Sequence, residues 1–172
     1  MKMLGIALAM LLAGCVDKPE NIEPVKPFES ARYLGKWYEI ARLDHSFERG
    51  LSQVTADYSM RSDGGIKVVN RGYEDANKRW KQSEGKAFFV GAKDQGYLKV
   101  SFFGPFYGAY IVFDLPGDYS YSMVSGPDKS YLWILSRTPQ MDGATQKRLV
   151  DKAQALGYDT SKLIYVKQDL SQ

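Results

Sequence analysis

An all-β chain with one C-terminal helix, closed as an eight-stranded antiparallel up-and-down β-barrel, is the fold class the sequence predicts. Three observations predict it. Eight short strand-like segments follow one another with only brief Gly-, Pro- and Asp-containing connections between them. Several of those segments alternate apolar and polar residues with the period of a half-buried strand. Helical periodicity emerges only after Asp142, near the end of the chain. Strands in simple sequence order favour a meander, and eight of them closed on themselves leave room for one small ligand.

The elements can be taken in order. Trp37 to Leu43 forms the first strand. Val54 to Met60 alternates cleanly and forms the second. Ser62-Asp-Gly-Gly65 is a turn of the Asp-Gly class and leads into Ile66 to Tyr73. Glu74 to Arg79 is polar and loop-like, and Trp80 to Val90 follows as a long strand. Lys93-Asp-Gln-Gly96 turns the chain into Tyr97 to Phe103, and Gly104-Pro-Phe-Tyr-Gly108 turns it again. Ala109 to Leu115, Tyr119 to Ser125 and Tyr131 to Arg137 complete the set. Asp142 is a predicted N-cap; Leu149, Val150, Ala153 and Leu156 share one helical face, and Gly157 ends it. A short strand, Leu163 to Lys167, comes last.

The N-terminus carries a separate signal. Met1 and Lys2 precede an uncharged apolar run from Leu4 to Leu12, then Ala13, Gly14 and Cys15. A positive start, a short apolar stretch and small residues before a cut are the layout of a secretory signal. The run falls short of the roughly 20 apolar residues a spanning helix needs. Leu12-Ala13-Gly14-Cys15 resembles the bacterial lipobox, in which the cysteine is acylated and becomes the new N-terminus. Cys15 is the single cysteine of the chain, and lipidation explains both its position and its solitude. Residues 1–14 are then a lipoprotein signal peptide. Residues 15–27, with three prolines and alternating charge, read as an acylated extended tether. Residues 28–172 form the barrel with its helix. Val16 stands where Gram-negative lipoproteins use aspartate for retention at the inner membrane. By that resemblance the chain is held in the outer membrane by its lipid anchor and faces the periplasm.

Composition narrows the function classes. Hydrophobic residues make up 44% of the chain and aromatics 13%, enough for a sizeable core. The formal charge of +3 is small and scattered, which argues against nucleic acid as a partner. His45 is the single histidine and lies on an expected loop, so neither a histidine-based triad nor a multi-histidine metal site is available. No Gly-x-Ser-x-Gly elbow is present. Glu39, expected inside the barrel, reads as a hydrogen-bonded structural group rather than a catalytic acid. The sequence therefore names no catalytic residue, metal or cofactor.

Gly35-Lys36-Trp37 opens the first strand, and Arg137 closes the eighth just before the helix. This arrangement resembles the lipocalin family, whose Gly-x-Trp motif and terminal arginine meet at the barrel floor. The stretches GKWYEIARLDHSFERG, SEGKAFF, KVSFFGPFYGAY and YLWILSRTP are similar to the bacterial outer-membrane lipoprotein lipocalins of the apolipoprotein D-like branch. Asp114 falls near the family's Thr-Asp-Tyr position, with Phe113 and Leu115 departing from it. The resemblance implies structural roles for Gly35, Trp37 and Arg137. It also implies an apolar ligand in a calyx, such as a fatty acid or lysophospholipid.

With Trp37 pointing inward, alternation assigns the lining. Glu39 and Ala41 follow inward on the first strand, and Val54, Ala56, Tyr58 and Met60 on the second. Val68 and Asn70 face in on the third, and Leu98, Val100 and Phe102 on the fifth. Tyr131, Trp133 and Leu135 face in on the eighth. The sixth strand is apolar on both faces, and Tyr110 is taken as its lining residue. The expected ligand-contacting set is thus Ala41, Val54, Ala56, Tyr58, Val68, Asn70, Val100, Phe102, Tyr110, Tyr131 and Trp133. The connections 44–52, 74–79, 104–108 and 126–130 form the expected rim. There Phe106 and Tyr107 read as exposed aromatics, either a ligand or membrane portal or a self-association patch that would make a homodimer. Two rivals to a lipid binder stay open on sequence: a lipid-modifying enzyme and a ligand-free structural envelope lipoprotein.

Overall fold

The computed structural model describes residues 16–169. Eight strands close into an antiparallel barrel: β1 (Gly35–Arg42), β2 (Leu51–Met60), β3 (Ile66–Glu74), β4 (Arg79–Phe89), β5 (Tyr97–Phe103), β6 (Phe106–Asp114), β7 (Tyr121–Ser125) and β8 (Leu132–Ser136). Consecutive strands pair, and β1 pairs with both β2 and β8 to complete the ring. A one-turn helix, α1 (Ser30–Tyr33), precedes β1, and α2 (Gly143–Ala155) follows β8. Turn chemistry lies behind this order. The Asp63 carboxylate accepts from the Gly65 amide at 3.0 Å, holding the β2–β3 turn. Asp142 caps α2 by accepting from the Thr145 amide at 2.9 Å, and Gly157, at φ +91°, ends it.

Two apolar clusters result. Inside the barrel, Trp37, Tyr58, Ile66, Val68, Leu98, Val112 and Leu135 pack with Phe28 and Tyr33 from the segment that crosses the floor. Outside it, Leu149 and Ala153 of α2 pack on Ile40, Ile111, Phe113, Met123 and Ile134. The sixth strand is apolar on both faces for this reason: Val112 faces the interior and its neighbours Ile111 and Phe113 face the helix.

Three expectations are corrected. Ala41 does not line the barrel. A bulge between Glu39 and Ala41 shifts the register with β8, so that Ala41 lies opposite Ile134 and joins the outer cluster. Arg42, opposite Trp133, turns inward in its place. The segment before Phe28 is not a free tether. Ile22 is 1% exposed in the outer cluster, and Val25 donates to the Val112 carbonyl and accepts from the Gly96 amide. The terminal strand is shorter than expected: β9 (Ile164–Tyr165) pairs with Ala41 and Arg42. Residues 166–168 continue between β1 and β2 where those strands part. The Val166 amide donates to Ile40, the Gln53 amide to Lys167, and the Gln168 side-chain amide to Glu39 and Val54.

Candidate functional site: the barrel interior and its mouth

The floor is built by α1, β1 and the residue after β8. Gly35 takes φ +91°, a left-handed conformation open to glycine, and so turns the chain from α1 into β1. The Trp37 indole donates to the Tyr33 carbonyl at 2.8 Å. The Arg137 guanidinium lies 3.8 Å from the centroid of the Trp37 ring and donates to the carbonyls of Lys36 and Arg32 at 3.0 and 2.7 Å.

Above the floor sits a tyrosine layer that strand alternation alone did not reveal. The Tyr33 hydroxyl meets those of Tyr110 and Ser122 at 2.8 and 2.9 Å, and Tyr110 meets Tyr58 at 2.8 Å. Burial pushes the Tyr33 hydroxyl up to about 12 and holds Tyr58 and Tyr110 well above the ordinary phenol range. The three hydroxyls therefore stay neutral and satisfy one another in an apolar setting. The space left among Phe28, Tyr33, Tyr58, Ile66, Ala87, Leu98, Val100 and Tyr110 is about 10 Å³, room for one water. The deep half of the barrel is filled by its own side chains.

Ala56, Asn70, Phe102 and Trp133 also lie on the inward face of their strands and are half-buried, while Val100 and Tyr110 border the small deep space. Val54 is buried beside Gly72, and Tyr58 and Val68 are buried in the deep layer. Tyr131 stands at the mouth just before β8, its ring stacked with Trp133. Of the expected lining set, Ala41 alone is turned to the outer cluster. Cys15 lies outside the described residues. At the rim, Phe106 is 77% exposed, whereas Tyr107 is half-buried on the outer wall against Phe88 and Lys99.

The mouth also holds a buried charged cluster, and two of its members, Arg42 and Glu48, were not singled out from sequence. Arg42 Nη1 donates to Glu39 at 2.8 Å, and Nη2 donates to the carbonyls of Glu48 and Leu51 at 2.9 and 3.1 Å. Arg42 thereby fastens the β1–β2 loop into the open end. Burial, with the charge of Glu48 added, holds the Glu39 carboxyl well above the usual carboxylate range. The bulge hid Arg42 from alternation, and loop residues such as Glu48 carry no periodicity to reveal them.

The model of the lipocalin-like domain matches residues 28–168. The chain belongs to the lipocalin family. This lipocalin is 57% identical over 164 residues to the outer membrane lipoprotein Blc of Vibrio cholerae, covering 95% of this chain and 96% of that one. It is 51% identical to the outer membrane lipoprotein Blc of Escherichia coli K12, covering 93% and 92% of the two chains. Among solved structures, insecticyanin from the tobacco hornworm Manduca sexta superposes with a TM-score of 0.68 over 91% of this chain and 88% of that one. At 22% identity that likeness speaks for the barrel fold alone. Lipocalins bind small hydrophobic ligands.

Proposed function

We propose that this lipocalin is a lipid-anchored binding protein of the outer membrane, facing the periplasm, which takes up a fatty acid, a lysophospholipid or a similar apolar molecule for storage or transport. The observation that carries this reading is the upper calyx. Its inward faces are apolar and aromatic, with Asn70 as a polar tip, and several of these side chains are only half-buried. Half-buried apolar surface is stabilised when an acyl chain covers it, at roughly 25 cal/mol per Å². The tyrosine layer sets the depth to which a tail descends. Cys15, placed by its lipobox-like context, supplies the anchor, in keeping with the names of the Blc relatives. Binding is favoured over catalysis because Glu39 and the buried phenols are engaged structurally: Glu39 with Arg42, and the tyrosine hydroxyls with one another.

Ala56 tests the reading. It lies opposite Trp37 on β1 and Asn70 on β3 and projects into the calyx. Ala56→Trp is expected to weaken a fluorescent fatty acid at least about tenfold with the circular dichroism spectrum retained. Asp57→Asn, on the outer face, is expected to bind normally. Undiminished binding by Ala56→Trp would sink the calyx site. Unfolding would show instead a packed interior, since overpacking a filled core costs about 1–3 kcal/mol.

A further inference from the structure

The β1–β2 loop places the chain's one histidine among three aromatic rings at the mouth. The His45 imidazole stacks on Phe47 with centroids 3.7 Å apart, and lies 5.1 Å from Trp133 and 5.9 Å from Tyr131. Its Nε2 is 2.9 Å from the Glu48 carboxylate. That carboxylate is itself fixed by a 3.0 Å hydrogen bond from the Trp133 indole. His45 and Glu48 are buried, while Phe47 is 58% exposed and forms the outer wall of the enclosure.

Two features mark His45 as a replaceable occupant. Both of its ring nitrogens are shut off from solvent, and neither has a hydrogen-bond partner among the described residues. The contact with Glu48 is close but lacks hydrogen-bond alignment, so stacking on Phe47 holds the ring. A buried imidazole held this way forfeits the solvation of its nitrogens and gains no directional bond in return. The second feature is the charge balance. Glu39 and Glu48 face the single guanidinium of Arg42, which pairs with Glu39 at 2.8 Å. Glu48, beside the Glu39 carboxyl and held by the Trp133 indole, is the carboxylate that faces the aromatic rings. Aromatic faces within about 6 Å of a common centre attract a cation without requiring it to donate hydrogen bonds. That suits an alkylated or primary ammonium group, and a carboxylate on the remaining side neutralises it.

We infer that Phe47, Tyr131, Trp133 and Glu48 form a box for the ammonium group of an amphiphile's head, and that His45 fills this box when no ligand is bound. With the tail in the calyx, on which this assignment of the head rests, an ammonium-bearing head arrives at the mouth and displaces the imidazole toward solvent past Phe47. The same box would also admit a free small ammonium ion without a tail.

The test uses the full chain carrying Cys15→Ser, in which the single histidine provides one assignable Hε1 resonance. Tetramethylammonium and choline are titrated alone. Dodecyltrimethylammonium and laurate are then compared by tryptophan fluorescence below their micelle concentrations. The His45 signal is expected to move as the ring leaves its aromatic neighbours, and Glu48→Gln is expected to abolish the response. Glu48→Gln and Phe47→Ala should each weaken dodecyltrimethylammonium about tenfold while leaving laurate unchanged. His45→Ala should tighten the ammonium amphiphile. Phe47 is exposed, so its truncation keeps the test decisive should Glu48→Gln fail to fold. Equal effects of the variants on both amphiphiles, or a His45 signal indifferent to every ammonium probe, would overturn the box and leave the calyx intact. A His45 response to tetramethylammonium, with dodecyltrimethylammonium bound no more tightly and laurate not bound at all, would overturn the calyx reading and establish the box as a site for free ammonium ions.

Discussion

Arg137 is more than a cap on an aromatic ring. Besides stacking on Trp37, it donates to carbonyls of Arg32 and Lys36, so one side chain joins α1, β1 and the end of β8. Trp37 is wholly buried and is tied to α1 through Tyr33. Trp37→Ala is expected to cost about 3–5 kcal/mol, as large-to-small changes of buried aromatics do. Arg137→Ala should cost about 1–3 kcal/mol, from the lost stacking together with the lost hydrogen bonds. Because the two touch, a double-mutant cycle by urea denaturation should return a coupling of about 0.5–3 kcal/mol. Strictly additive losses would count against the stacked pair. Arg137→Lys should recover only part of the stability, since an ammonium lacks the planar fork that reaches two carbonyls while lying flat on a ring.

Among the elements, the segment before Phe28 behaves as a strap. Its three prolines and alternating charges suit an extended chain, and an extended chain can lie along the barrel wall. Ile22 is the residue that holds it there, buried in the outer cluster with Ile111, Phe113 and Leu149. Val25 adds hydrogen bonds on both sides, to Val112 and Gly96. Ile22→Ala should therefore cost about 2–5 kcal/mol, within the range of buried isoleucine truncations. In native-state hydrogen exchange the Val25 amide should be protected beyond its charged neighbours. A Val25 amide exchanging at the open-chain rate, together with an unchanged urea midpoint for Ile22→Ala, would mean that the strap is loose in solution.

For the molecule as a whole, the strap sets where an anchor departs. The Tyr97 hydroxyl donates to the Val16 carbonyl, which places the residue next to Cys15 against the start of β5 at the closed end. Cys15→Ser should abolish acyl labelling and shift the protein from the membrane fraction to the periplasm, or leave it unprocessed. Stable attachment rests on acyl chains, each buried CH₂ contributing about 0.8 kcal/mol. Acyl-labelled, membrane-bound protein from the Cys15→Ser variant would refute the lipobox assignment. The two core clusters are formed by residues from Ile22 onward, so the variant should unfold at the same temperature as the unmodified chain.

The sequence by itself determined the meander, the helix and the floor. Strand alternation is a local property of a half-buried ribbon, so β5 and the Val54–Tyr58 part of β2 could be turned correctly from their own residues, whereas Met60, expected inside, is 54% exposed. Turn and cap residues act within a few positions, which made the Asp63 turn and the Asp142 cap equally readable. The paired roles of Trp37 and Arg137 came from motif resemblance. What only the tertiary structure decided depends on contacts between distant segments. A bulge on β1 adds one residue against β8, and the phase beyond it reverses, sending Ala41 out and Arg42 in. The tyrosine layer needs Tyr33 of α1 beneath Tyr58 and Tyr110, and the strap needs a wall to lie on. The aromatic box joins residues 45–48 of one loop to Tyr131 and Trp133, nearly the length of the barrel sequence away. No periodicity encodes such a meeting, because it is set by which loop folds over the open end and by the charges that hold it there.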